Sequence, residues 1–292
     1  MSTPRPPVII IGMSRSGTSM LTRMLDDLGL FVGSKVTDNH EAIFFRDLND
    51  WLLTQCSGGL ENPGVIKYLL GDDEARALYG DFIKFSMKTP RAMSFLGLTK
   101  YLRYGTPARL DIPWGWKDPR NTFTLSFWLD IFPDAKVIHI YRHPLDIINS
   151  LRTRRKRGLA RLGDRHAGFL LKPLYLLYLV RKFIGGRRVF VDLRGASLEE
   201  GFILWEEYMK EARGHVARMG KRAIEVKYEY FLDNPSDVLK TLAEFCGLEA
   251  GKGEIEKAAP EVNKSRGYAF LKDPELKSYS LDIAARLGNY GY

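Results

Sequence analysis

Cysteine is scarce in this chain of 292 residues: only Cys56 and Cys246, far apart and outside any paired motif. That excludes a disulfide scaffold and a cysteine-based zinc cluster, and it suits a reducing compartment. Long apolar runs are missing too. The longest, Phe169 to Val180, is broken by Lys172 and Pro173 and is too short to span a bilayer. The opening segment, Met1 to Pro7, carries no apolar signal core. A cytoplasmic protein is therefore expected. Repeats, low-complexity tracts and Gly/Ser linkers are also wanting, so a single domain over 1–292 is expected.

What is present suffices for a packed core: 45% hydrophobic and 27% charged residues, both average for a soluble fold. The net charge of +9 is unevenly placed. Between Arg152 and Arg188 stand twelve of the 44 basic residues and one of the 35 acids, which leaves 32 bases against 34 acids elsewhere. The surplus is a local device, and it reads as a basic and apolar helical insertion at about 152–188.

Strand and helix signals alternate. Val8-Ile-Ile-Ile11 is a β-branched run ending at Gly12. From Thr18, Met20, Leu21, Met24, Leu25 and Leu28 keep helical spacing until Gly29. Helices are expected over Glu41–Thr54, Asp72–Phe85, Thr122–Ile131, Leu198–Met219 and Pro235–Phe245, and another from Pro144. Strands are expected at Trp114–Lys117, Lys136–Tyr141 and Ala223–Tyr228. This order predicts an α/β fold, a parallel sheet flanked by helices on both faces, with ligands at the carboxyl ends of its strands.

Gly12-Met-Ser-Arg-Ser-Gly17-Thr-Ser19 occupies such an end. Backbone N–H groups of a strand–turn–helix of this kind point at an anion. The spacing approaches that of a Walker loop, but Thr18 stands where the lysine belongs and the cation comes earlier, as Arg15. A second cluster follows Tyr141: Arg142 at the strand end, and Ser150 two helical turns further on. A Walker B strand would end in Asp to hold magnesium; this one ends in Arg, so an anion site is expected and no metal.

Together these motifs resemble the sulfotransferase family, which uses 3′-phosphoadenosine-5′-phosphosulfate (PAPS) and releases adenosine 3′,5′-bisphosphate (PAP). Arg15-Ser-Gly-Thr-Ser19 is similar to its phosphosulfate loop, closer to the carbohydrate and tyrosylprotein branch, and Arg142 through Ser150 to its R-x₇-S pattern. Lys117-Asp-Pro-Arg120, Phe132-Pro-Asp-Ala-Lys136, and Tyr228-Glu-Tyr-Phe-Leu with Phe245-Cys-Gly-Leu248 agree in order. The resemblance implies a P-loop-like fold. It implies that Arg15, Ser16, Gly17, Thr18 and Ser19 hold the 5′-phosphosulfate, and that Lys117 stabilises the bridging oxygen. Arg142, Ser150 and Arg154 would take the 3′-phosphate, with Tyr228 near the nucleotide and Lys264, Ser265 and Arg266 in a closing loop. Glu41 is the expected base and His40 the alternative, although Glu41 also suits the first turn of a helix. His139 is expected to pack inside a strand, and His143 to stand behind Arg142.

The resemblance further implies transfer of a sulfuryl group to a hydroxyl, less readily to an amine, of a small-molecule, carbohydrate or lipid-like acceptor. The basic segment suits an anionic acceptor or peripheral contact with a membrane surface; nucleic acid is disfavoured for want of a binding motif. Two rivals stay open. One is a P-loop kinase or NTPase, with Val189-Phe-Val-Asp192 as its Walker B strand; the other is a non-catalytic nucleotide- or membrane-binding protein.

Overall fold

In the computed structural model, residues 3–166, 176–177, 180–181, 193–259 and 262–292 are described. Most of the segment expected at 152–188 beyond residue 166, and the strand candidate Val189–Asp192, lie outside them. The chain divides into two compact units: Met1–His143 with Glu206–Tyr268, and Pro144–Trp205 with Ala269–Tyr292.

The first unit is built on a sheet. Among the described residues it has four strands, β1 (Val8–Ile11), β2 (Gly115–Lys117), β3 (Lys136–Tyr141) and β4 (Ala223–Lys227). They are all parallel, in the order β2-β1-β3-β4. β1 is central and its four apolar residues are all buried, as a strand covered on both faces requires. Side chains alternate along it, so Val8 and Ile10 face one way and Ile9 and Ile11 the other. Val8 and Ile10 share a core with Leu21, Met24 and Leu25 of α1 (Thr18–Asp27), and with Leu239 and Leu242 of the helix Pro235–Cys246. The opposite face carries α2 (Ile43–Gln55) and, after helices α3 (Ile66–Leu70), α4 (Asp73–Ser86) and α5 (Met93–Tyr104), α6 (Asn121–Ile131). There Trp116, aligned with Ile9, stacks on Phe45 of α2 at 4.0 Å and meets Trp128 of α6 edge-on at 5.0 Å.

This alternation delivers the site. Lys117 is aligned with Ile10, so its side chain leaves on the α1 face. The opposite face is pinned by a buried polar hub. The Asn49 side chain accepts from Trp128 Nε1 and Thr124 Oγ1, both at 2.8 Å, and donates to Asn121 Oδ1 at 2.7 Å and Asp118 Oδ2 at 3.1 Å. Asn121 accepts from Trp116 Nε1 at 3.0 Å and donates to the Ile10 carbonyl at 3.2 Å. The hub ties α2 and α6 to the ends of β1 and β2.

Most expected elements form close to their expected limits, with two instructive differences. α2 begins at Ile43, after an N-cap at Ala42, so Glu41 is outside the helix and in no first turn. β4 ends at Lys227, and Tyr228 opens a short helix, Tyr228–Asp233, instead of closing the strand.

The second unit carries α7 (Pro144–His166), with half-buried Ser150 and Arg154 one turn apart. Asp146 accepts from the Phe270 backbone N–H at 2.8 Å, and Arg152 grips Glu275 with bonds of 3.0 and 3.3 Å. Among the described residues no helix is long and apolar enough to cross a membrane.

Asn49→Ala should strand the indole N–H of Trp128 and deprive buried Asp118 Oδ2 of its donor, while Thr124 Oγ1 keeps the Arg120 carbonyl at 3.2 Å. At about 1–3 kcal/mol for each orphaned buried group, urea melts should show a loss of about 3–5 kcal/mol. A loss below about 1 kcal/mol would mean that the hub is dispensable.

Candidate active site

The turn between β1 and α1 depends on close approach. Gly12 has φ 136°, and a Cβ there would lie 2.3 Å from the Ile140 carbonyl oxygen. Its N–H is taken by Thr122 Oγ1 at 3.0 Å. Gly17, at φ 97°, would place a Cβ 2.4 Å from the Tyr228 ring. Between them Arg15 adopts a left-handed φ of 76°, and the buried Ser16 hydroxyl donates to the Met13 carbonyl. The turn therefore presents backbone at the start of α1, where the N-cap Gly17 supplies no side-chain hydrogen bond. An uncapped helix N-terminus of this kind suits an anion.

Lys117 faces this turn. Its ammonium is 3.3 Å from Ser19 Oγ and 3.3 Å from Glu41 Oε1, while the side chain is only 1% exposed. Burial holds this ammonium below the usual lysine range; Glu41, and then Asp118, pull the other way. The next residues brace it from behind. Asp118 is fully buried and accepts from the Arg120 guanidinium at 3.1 Å, and Arg120 also meets Asp50 at 3.1 Å. That carboxylate pair pushes the Arg120 guanidinium further above its already high range, against the opposing cost of burial.

Glu41 sits on a turn tied by Thr37. The Thr37 hydroxyl accepts from the Glu41 N–H at 3.2 Å, the Thr37 carbonyl accepts from the His40 N–H at 2.8 Å, and the Thr37 N–H donates to the Glu41 carbonyl at 3.0 Å. His40 is left-handed at φ 55°. Its Nδ1 is buried without a hydrogen-bond partner. Burial, and then the Arg23 charge, hold this imidazole toward the neutral form.

At the end of β3, the Arg142 guanidinium lies 4.7 Å from the centre of the Tyr228 ring. It donates to the Arg15 carbonyl at 3.4 Å and to the Arg266 carbonyl. The structure thus brings Arg15, Gly17, Tyr228, Arg142 and the backbone of Arg266 together at one end of the sheet. The Arg266 contact is through its carbonyl, with the loop Lys264–Arg266 forming a short 3-10 turn in which Asn263 Oδ1 holds the Ser265 N–H at 3.0 Å. Ser150 and Arg154 belong to the second unit.

Two histidines are accounted for by packing. His139 is buried in β3 with Nδ1 2.8 Å from Glu225, and burial keeps its ring toward the neutral form. His143 lies beyond Arg142, its N–H donated to Glu229 Oε1 at 2.9 Å. Sequence reasoning missed Thr37, Asn49 and Thr122, which hold the turns in place. Asn49 and Thr122 act through residues distant in the chain, which no local spacing marks, while Thr37 acts on His40 and Glu41 close beside it.

A model described as the Sulfotransferase family matches residues 6–170. No curated protein sequence matches the chain. Among solved structures, the chain is similar to the sulfotransferase domain from the curacin biosynthetic pathway: 14% identity, 97% of this chain and 99% of that one covered, TM-score 0.50. The sulfotransferase domain of the Synechococcus PCC 7002 olefin synthase is 20% identical over 94% of this chain and 87% of its own, TM-score 0.45. The sulfotransferase from Alicyclobacillus acidocaldarius is 18% identical over 92% and 96%, TM-score 0.44.

Burial, and then the charges of Lys227 and Arg142, push the His143 imidazole from 6.5 down to about 3. The unfolded chain then takes up a proton below pH 6.5 that the folded chain refuses, so stability falls as the pH drops from 6.5 toward 3. The slope from this group approaches about 1.4 kcal/mol per pH unit. Urea melts of His143→Gln should show a shallower loss of stability between neutral pH and pH 4 than the wild type. Equal slopes would mean that His143 titrates normally in the folded state.

Proposed function

The chain belongs to the sulfotransferase family, and we propose that it transfers a sulfuryl group from PAPS to a hydroxyl, or less readily an amine, of a small-molecule, carbohydrate or lipid-like acceptor. The observation that carries this proposal is the position of Lys117, a buried ammonium equidistant from the phosphate turn at Ser19 and the carboxylate of Glu41. The donor set fits the bisphosphate nucleotide. It offers an uncapped helix start, a glycine turn that any Cβ would obstruct, and cations at Lys117 and Arg142. PAPS, when bound, supplies the sulfuryl group and a phosphate leaving group.

The residues then divide the work. The N–H groups of Gly17, Thr18 and Ser19, with the Ser16, Thr18 and Ser19 side chains and Arg15, hold the 5′-phosphosulfate. Arg142 holds the 3′-phosphate, supported by Tyr228 beneath its guanidinium, and Ser150 and Arg154 keep the same role through the resemblance. Lys264, Ser265 and Arg266 close over the nucleotide. Glu41 takes the proton from the acceptor oxygen as that oxygen bonds to sulfur. The Lys117 ammonium offsets the charge that gathers on the departing phosphate oxygen as the sulfur–oxygen bond breaks. In a site shielded from water, fixed charges of this kind act at their strongest. Thr18 in the position of a Walker lysine weighs against a nucleoside triphosphatase, since the cation arrives instead from β2.

Two measurements test these assignments. Glu41→Gln should leave PAP affinity near wild type and cut turnover, followed as PAP release with a simple phenol as acceptor, by about 10² or more. Survival of turnover in that variant, together with its loss in His40→Ala, would make the histidine the base. Arg142→Ala should weaken PAP by roughly one to two decades, and adenosine 5′-monophosphate much less, since a charge-assisted bond is worth about 1.5–3 kcal/mol. Equal losses for both nucleotides would remove Arg142 from the 3′-phosphate.

A further inference from the structure

The helix Leu198–Met219 carries a buried polar group that the site described above does not use. Positions 208, 212, 215 and 219 keep the spacing of an inward apolar stripe. Tyr208, Ala212 and Met219 are buried as that stripe requires, but the fourth member is a histidine, His215, only 2% exposed. A leucine would fill the position at less cost, since an imidazole taken out of water needs hydrogen-bond partners.

Both ring nitrogens have them. Arg218, one turn on, donates to Nδ1 at 2.8 Å. A guanidinium cannot accept, so Nδ1 is the acceptor and the ring proton sits on Nε2. That N–H meets two oxygens: the Thr122 carbonyl at 3.0 Å and Glu211 Oε1, one turn back, at 3.1 Å. Glu211, His215 and Arg218 share one helix face by their spacing. The helix thus fixes its own histidine tautomer and aims a donor at the first turn of α6.

Thr122 connects this donor to the phosphate turn. It is fully buried, and its hydroxyl accepts the Gly12 N–H at 3.0 Å. Gly12 is the point where the chain leaves β1, and the Ile140 carbonyl approaches it so closely that no Cβ would fit. All the residues of this chain of contacts lie in the first unit. We infer that His215 is a positioning residue for the phosphate turn: it fixes Thr122 through its carbonyl, and the Thr122 hydroxyl fixes Gly12. The imidazole acts through Thr122 and takes no part in the transfer itself.

Hydrogen exchange at the Gly12 amide of the full chain, followed by NMR without nucleotide, tests the link. His215→Leu removes the donor at similar volume and should speed Gly12 exchange roughly three- to tenfold. His215→Gln, whose amide N–H can reach the Thr122 carbonyl, should restore the wild-type rate. His215→Asn, polar but too short for that reach, should behave like the leucine variant, and it serves if leucine prevents folding. The effect on nucleotide rests on the proposed PAP site. There His215→Leu should weaken PAP by a similar factor, as should Thr122→Val, and the double variant should bind within about twofold of Thr122→Val alone. Unchanged Gly12 exchange in the leucine and asparagine variants, or no rescue by glutamine, would overturn the inference. So would losses of PAP affinity that simply multiply in the double variant. A wild type that does not bind PAP would count against the nucleotide site, while the exchange rates would still decide the role of His215.

Discussion

A buried ammonium governs this structure. Taking a lysine out of water costs several kcal/mol unless its charge is met at close range, and Lys117 is almost fully enclosed. Glu41 and Ser19 meet it from the front, and the Asp118–Arg120 pair supports the chain immediately behind it. Each partner lies on a different element, and each must be held. The Asn49 hub locks β2 to α2 and α6, the Thr37 turn fixes Glu41, and the glycines at 12 and 17 let the α1 turn come close enough to supply Ser19. The arrangement is costly for stability alone, which marks it as built for chemistry.

The other cation of the site is held differently. Arg142 is anchored by carbonyls of Arg15 and Arg266 and backed by the Tyr228 ring. Carbonyl anchors of this kind orient a guanidinium. Two cations at the ends of β2 and β3, the strands on either side of β1, with a bare helix start between them, suit the proposed ligand, which carries anionic groups at two points.

Much of this was legible in the sequence because it is local. The β-branched run of β1, the glycine spacing of the turn and the apolar period of α1 each lie within a dozen residues and foretell the strand–turn–helix. Lys117 and Arg142 were legible as strand-end cations once the alternation of strands and helices was granted. Glu41 was chosen as the base by resemblance, and its proximity to Lys117 came only with the fold. Its place outside α2 was hidden, since nothing in His40-Glu41-Ala42 announces the left-handed turn at His40. The Asn49 hub was invisible for a plainer reason: five side chains meet there from positions 49, 118, 121, 124 and 128, and no spacing rule joins the first to the rest. Arg266 shows the same limit, because motif reasoning names side chains and the contact is made by its backbone.

The central claim is that the α1 turn and Lys117 form the phosphate end of a bisphosphate nucleotide site. A crystal structure of the protein grown with PAP and a chelator tests it most directly. The account predicts the 5′-phosphate within hydrogen-bond distance of the Gly17–Ser19 backbone and Lys117 Nζ, and the 3′-phosphate on Arg142. A nucleotide bound in the opposite sense, or bound elsewhere with Lys117 still closed on Glu41, would contradict it.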